Sequence, residues 1–175
     1  LDPIWDASTV IVNGQIRALA IIDAGANLLL GGSFTDVAAD ATINFLTKIS
    51  TTTAAKVDFT TANPTLNGAV NSILVQADSK VIIAGEFTMA NGLIRKRIAR
   101  FESDGQTDLN VNFGSGANAT IRAMALQADN SIIVGGDFTT FDDFAVPHVA
   151  RLLGGDIISP ALPDNGRFRY AVASL

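Results

Sequence analysis

The chain has 175 residues, 48% hydrophobic and only 17% charged, with a formal net charge of −5 and no cysteine. This length suits one domain, and the missing thiols exclude cysteine catalysis, disulfides and thiolate metal centres. There is no basic cluster, and no apolar run approaches the ~20 residues of a bilayer span, which argues against nucleic acid and membrane insertion.

The opening, Leu1-Asp2-Pro3-Ile4-Trp5, lacks an initiator Met and the basic start of a signal peptide, so the chain reads as a fragment beginning inside a repeat. Ile16–Ile22 predicts a strand, followed by a turn over Asp23-Ala24-Gly25-Ala26-Asn27 and a second strand, Leu28–Gly32, running into Ser33-Phe34-Thr35. After a loop at 36–44 comes a third strand, Phe45–Ile49. The same order returns as Val70–Gln76, a turn at 77–80, Val81–Gly85 with Glu86-Phe87-Thr88, a loop at 89–96, and Arg97–Phe101. It returns again as Ile121–Gln127, a turn at 128–131, Ile132–Gly136 with Asp137-Phe138-Thr139, a loop at 140–147, and His148–Leu152. Gly32, Gly85 and Gly136 are spaced 53 and 51 residues apart. A fixed period means that each copy is one supersecondary unit.

A weaker fourth element carries an aromatic: Leu1-Asp2-Pro3-Ile4-Trp5 aligns with Leu109-Asn110-Val111-Asn112-Phe113, and Val57-Asp58-Phe59 is the looser middle counterpart. Each repeat therefore predicts a four-stranded antiparallel sheet. In the first strands Ala18 and Ala20 oppose Leu19 and Ile21, and Ala123 and Ala125 oppose Met124 and Leu126. Both faces are apolar, one thin and one thick, so the sheets must stack face to face. The expected fold is all-β: tandem four-stranded antiparallel sheets forming a partial β-propeller of about three blades. The three Gly-x-Phe-Thr segments are its equivalent inner strands, and their glycines mark close backbone approach.

Repeats fall at about 1–56, 57–108 and 109–153, within one unit spanning 1–153. From Gly154, Pro160 and Pro163 mark a linker. Arg167–Val172 then alternates like the first strand of a following sandwich, or a strand pairing with the last blade.

Gln76-Ala77-Asp78-Ser79-Lys80, Val81–Thr88, Asn91-Gly92, Arg97-Ile98-Ala99-Arg100-Phe101 and Asp104-Gly105, in that order, resemble the bacterial delta-60 repeat. The resemblance covers roughly 1–153 and is best over 70–153; Asn-Gly and Asp-Gly are missing at 36–65. It implies β-propeller repeats in large secreted or surface-attached bacterial proteins, and hence an extracellular or cell-surface setting. It brings no established catalytic residue.

Sequence chemistry is sparse. Gly114-Ser115-Gly116-Ala117-Asn118-Ala119 matches G-x-G-x-x-A, but a strand and not a helix follows, which removes the dinucleotide reading. Asp108-x-Asn110-x-Asn112 resembles the start of a calcium loop with its glycine one place late and Ala119 where Glu belongs. No cofactor is expected; weak calcium binding to loop carboxylates near Asp142 and Asp143 stays open. His148 is the sole histidine and aligns with Phe45 and Arg97, so it carries no repeated chemistry. Ser33 lacks the glycine of a nucleophile elbow. Asn118-Ala119-Thr120 is a glycosylation sequon.

Lys48, Arg100 and Arg151 share one register, and Ser33, Glu86 and Asp137 share another. These predict ion pairs within or between blades, or else a ring of charge meeting a ligand. Three functional readings result. The first is a non-catalytic scaffold for binding, adhesion or spacing, with polysaccharide or a surface protein as ligand. The second is a fragment of a propeller-type polysaccharide hydrolase or lyase using Glu86, Asp137 and Asp142. The third is a fibre-forming element. Three blades leave unpaired edges and faces, so further blades of the parent or another copy of the chain are the expected partners.

Overall fold

The computed structural model describes residues 13–37, 40–111 and 113–153; the expectations for Leu1–Trp5, for the proline linker and for Arg167–Val172 fall outside them. The strands are β1 (Ile16–Ile22), β2 (Asn27–Gly32), β3 (Leu46–Ser50), β4 (Lys56–Val57), β5 (Val70–Val75), β6 (Val81–Gly85), β7 (Met89–Ala90), β8 (Leu93–Ile94), β9 (Ile98–Phe101), β10 (Ile121–Leu126), β11 (Ile132–Gly136), β12 (Thr140–Phe141), β13 (Phe144–Ala145) and β14 (Val149–Leu152). They form three antiparallel sheets, ordered β1-β2-β3-β4, β5-β6-β9 and β10-β11-β14, with β7-β8 and β12-β13 as separate hairpins. No helix among the described residues is long and apolar enough to cross a membrane.

The Gly-x-Phe-Thr strands β2, β6 and β11 are the middle strands, flanked on both edges. The first strands β1, β5 and β10 form the edges that approach one another across the stack. Phe34, Phe87 and Phe138, just beyond the middle strands, are each fully buried.

Among the described residues, four strands appear in the first sheet alone. There β4 pairs with β3, while in the second sheet a single bridge, Phe101 to Thr107, stands in its place. The first sheet is thus completed by residues at the boundary between the first two sequence repeats, and the bridge in the second sheet comes from within its own repeat. Val111 and Phe113, expected in a strand, are instead buried packing residues.

Stacking follows the thin and thick faces. Ala18, Ala20, Leu29 and Leu46 of the first sheet pack on Ile73, Val75, Val81, Ile83, Ala99 and Phe101 of the second. The other face of the second sheet, with Leu74, Ile82, Ala84 and Ile98, packs on Met124, Leu126, Ile132, Val134, Ala150 and Leu152 of the third. The Ser72 hydroxyl accepts the Met124 N–H at 3.1 Å across this second junction. Each fully buried Leu, Ile or Phe at these junctions contributes roughly 1.5–3 kcal/mol.

Two faces have no sheet against them among the described residues. The thick face of the first sheet leaves Leu19 60% and Ile21 64% exposed, and the thin face of the third leaves Ala123, Ala125 and Val149 exposed.

The loops at 89–96 and 140–147 contain the short hairpins β7-β8 and β12-β13. Their tips, Asn91-Gly92 and Asp142-Asp143, both have two positive φ values, the geometry of a two-residue hairpin turn. Phe45, Arg97 and His148, expected to open the third strands, lie just before them at φ 62°, 70° and 68°. Each donates its N–H to the carbonyl of Phe34, Phe87 or Phe138 and accepts from Gly32, Gly85 or Gly136. Their register is repeated in backbone conformation even though their side chains have nothing in common.

Candidate functional site

In every sheet the register slips inside the first strand, between Ile16 and Ala18, Val70 and Ser72, and Ile121 and Ala123. The extra residues are Arg17, Asn71 and Arg122. A bulge bends its strand and re-aims the side chain it carries, and these bulges bring the three polar side chains to Glu86 and Asp137, which follow Gly85 and Gly136. Arg17 Nη1 donates to Glu86 Oε1 at 2.7 Å and to Asn71 Oδ1 at 2.9 Å, joining the first sheet to the second. Asn71 Nδ2 donates to the Ile121 carbonyl at 3.0 Å, joining the second to the third. Arg122 grips Asp137 with Nε and Nη2 at 2.7 and 2.6 Å. This fork holds the Asp137 carboxyl below its ordinary value and raises the Arg122 guanidinium. Gln15, Arg17, Asn71, Glu86 and Arg122 line an open hollow of about 370 Å³.

Of this cluster, sequence reasoning named Glu86 and Asp137 and missed Arg17, Asn71 and Arg122. The available signal was their shared place one residue into each first strand.

Lys48, Arg100 and Arg151 do not meet Ser33, Glu86 or Asp137. They lie opposite Leu29, Ile82 and Ile133, at the turn end of the sheets. Glu86 is four residues beyond Ile82, about 13 Å along the strand. Lys48 Nζ instead sits 3.7 Å from Asp23 Oδ2 and 4.8 Å from the Phe59 ring centroid, a cation–π contact. Arg151 bonds Gln127 Oε1 at 2.7 Å and Asp129 Oδ2. Arg100, 1% exposed, bonds Asp108 Oδ2 at 2.8 Å and Gln76 Oε1 at 3.2 Å. Lys80 Nζ reaches the same Asp108 oxygen at 2.8 Å and Glu102 at 3.2 Å. Burial pushes the Asp108 pKa up, but the Lys80 hydrogen bond, the Asn110 N–H and the Arg100 guanidinium outweigh it, and the net shift is downward. The Asp108 carboxylate in turn raises Lys80 well above the usual lysine value.

A third repeated device was not anticipated. Asn13, Asn67 and Asn118 each donate Nδ2 to the hydroxyl of Thr35, Thr88 or Thr139, at 2.7, 2.8 and 3.0 Å. Each Oδ1 accepts the N–H of that threonine and of the next residue, Asp36, Met89 or Thr140. The sequon asparagine, Asn118, is thereby fully engaged.

Asp142 and Asp143 form the tip of the β12-β13 hairpin, and Asp142 Oδ1 accepts the Ser115 N–H at 2.8 Å. Asn91 does the same for the Thr65 N–H at 2.8 Å, so Asp142 has an anchoring role in its repeat. Of the calcium-like triplet, Asp108 serves Arg100 and Lys80 and caps Asn110 N–H at 2.8 Å; Asn112 is outside the described residues. Among the described residues no three His, Asp or Glu side chains converge in a way that could hold a metal ion. His148 Nδ1 lies 3.1 Å from the Gly136 carbonyl oxygen.

No curated protein matches the chain. A family model described as a domain of unknown function (DUF5122) beta-propeller matches residues 76–110 and 127–154. Both matches begin at the glutamine before a turn and run through the middle strand, the hairpin and the third strand. Taken with the stacked antiparallel sheets, this similarity makes the chain an all-β partial β-propeller built of repeats.

Proposed function

We propose that this chain is a non-catalytic β-propeller repeat scaffold of a secreted or cell-surface bacterial protein, serving binding, adhesion or spacing. The observation that carries this reading is where the repeated side chains are used. The glycines admit a crossing backbone, the asparagines clamp the threonines, and the repeated cations pair with acids or glutamines of their own sheet. Variation is concentrated at the hairpins, which display Leu93, Ile94 and Phe144 to solvent. Residues on loops of a rigid scaffold are where recognition generally resides. The resemblance of residues 70–153 to repeats of secreted and surface proteins supports that setting.

Partners of the sheet faces are further blades of the parent or a second copy. The thin face of the third sheet and the thick face of the first are the two halves of the junction already used twice inside the chain. Incubation with insoluble and soluble polysaccharides tests the reading, followed by assays for retention and for new reducing ends. Retention without cleavage is expected; release of reducing ends by the purified chain, abolished in Glu86→Gln or Asp137→Asn, would replace the scaffold with a hydrolase.

A further inference from the structure

The hollow at the bulged ends of β1, β5 and β10 draws side chains from all three repeats, and none of them belongs to the hydrophobic junctions. Its two guanidiniums are already matched: Arg17 by Glu86 at 2.7 Å and Arg122 by Asp137 at 2.6 Å. An incoming carboxylate or phosphate would have to displace a resident acid and then sit beside it. An incoming cation would face the same difficulty from the arginines. Even so, the side chains remain one-third to two-thirds open to solvent, and the Gln15 carboxamide has no partner among the described residues. The rim therefore offers fixed N–H donors, carboxylate lone pairs and carboxamides that both donate and accept. A volume of about 370 Å³ lies within the range of ligand pockets, ~300–1,000 Å³. Its lining is polar where most such pockets are apolar, so the ligand should be polar as well.

We infer that this hollow is a binding site for a neutral, hydroxyl-rich saccharide. The inference rests on the scaffold reading above and specifies its ligand class. Adjacent sugar hydroxyls each donate and accept, which matches a mixed array whose net charge is balanced. Charge-assisted bonds from fixed ionic groups are the strong ones. The bulges supply the positioning: three single-residue slips aim three polar groups at one place without disturbing the apolar face beneath. An open, polar site of this kind gives weak affinity, about millimolar.

The test is a titration of the ¹⁵N-labelled chain with neutral hexasaccharides of glucose, xylose and mannose, and with a galacturonate hexamer as the acidic control. The expected result is a saturable shift of the Gln15 and Asn71 side-chain amide signals with at least one neutral sugar. Gln15→Ala and Arg122→Ala, both at exposed positions, should weaken it about tenfold with Tm unchanged. No shift with any neutral sugar overturns the site. So does a shift with galacturonate alone, or binding that both variants leave intact. Signals moving only at 89–95 and 140–146 would refute this site while leaving the scaffold standing. New reducing ends would sink the scaffold reading instead.

Discussion

Gly85 shows how tightly single positions are held. A Cβ there would fall inside the contact radius of the Ala69 carbonyl oxygen, and the same holds at Gly32 against Gln15 and at Gly136 against Thr120. The obstruction is backbone, which cannot swing aside like a flexible side chain. Gly85→Ala should therefore cost about 3 kcal/mol or more, read as a fall in the urea midpoint. Asp108 makes a second case. Its side chain is fully buried with Arg100 and Lys80 bonded to one oxygen, so Asp108→Asn leaves buried charge without compensation and should cost about 3–5 kcal/mol. Its folded pKa lies below the unfolded value, so its contribution is complete above an ordinary aspartate pKa of about 3.9. That contribution disappears as pH falls from there through the folded value. Acid titration of stability should accordingly steepen below about pH 4 in the parent, and this component should vanish in Asp108→Asn.

The element that ties each sheet together is the asparagine clamp. Asn67 satisfies the N–H groups of Thr88 and Met89, where the chain leaves β6 for the β7-β8 hairpin. Asn67→Ala should cost about 0.5–1.5 kcal/mol, the net worth of a hydrogen bond where water can take the lost partner's place. Hydrogen exchange at Thr88 and Met89 should accelerate well beyond that of β6 itself. The clamp was in plain view as Asn13, Asn67 and Asn118, each three residues ahead of a first strand, but apolar periodicity draws attention to strands and away from what precedes them. The bulges were hidden for a different reason. A one-residue slip exists only relative to a partner strand, so Arg17, Asn71 and Arg122 look like ordinary alternation until β2, β6 and β11 are laid beside them. The hairpin at Asn91-Gly92 carried its own turn signal. Asp142-Asp143 carried a weaker one, since both aspartates must adopt positive φ.

Across the molecule, the repeated cation reports whether a sheet is covered. Lys48 and Arg100 are buried at the two junctions, whereas the Arg151 side chain, in the same register on the open thin face, is 39% exposed. The complementary thick face offers Leu19 and Ile21 to solvent. On the proposal that these faces associate, sedimentation at rising concentration should reveal heavier species that Ile21→Glu removes without lowering Tm. Head-to-tail contact between two three-sheet chains closes a six-bladed ring if the rotation fits and grows filaments if it does not. A sharp limit at two chains selects the ring, and continued growth selects the fibre.

Period, thin and thick faces, and the burial of Phe34, Phe87 and Phe138 were all determined by the order of residues alone. These properties rest on local alternation and on repetition, which a chain carries before it folds. Tertiary structure decided that Lys48, Arg100 and Arg151 pair with Asp23, Asp108 and Asp129 and with glutamines, that Glu86 and Asp137 meet bulged arginines, and that β4, at the boundary of the first two repeats, completes the first sheet. Each of those depends on which atoms lie within about 3 Å across two strands or two sheets, and a distance of that kind is set by register and stacking, not by position along the chain.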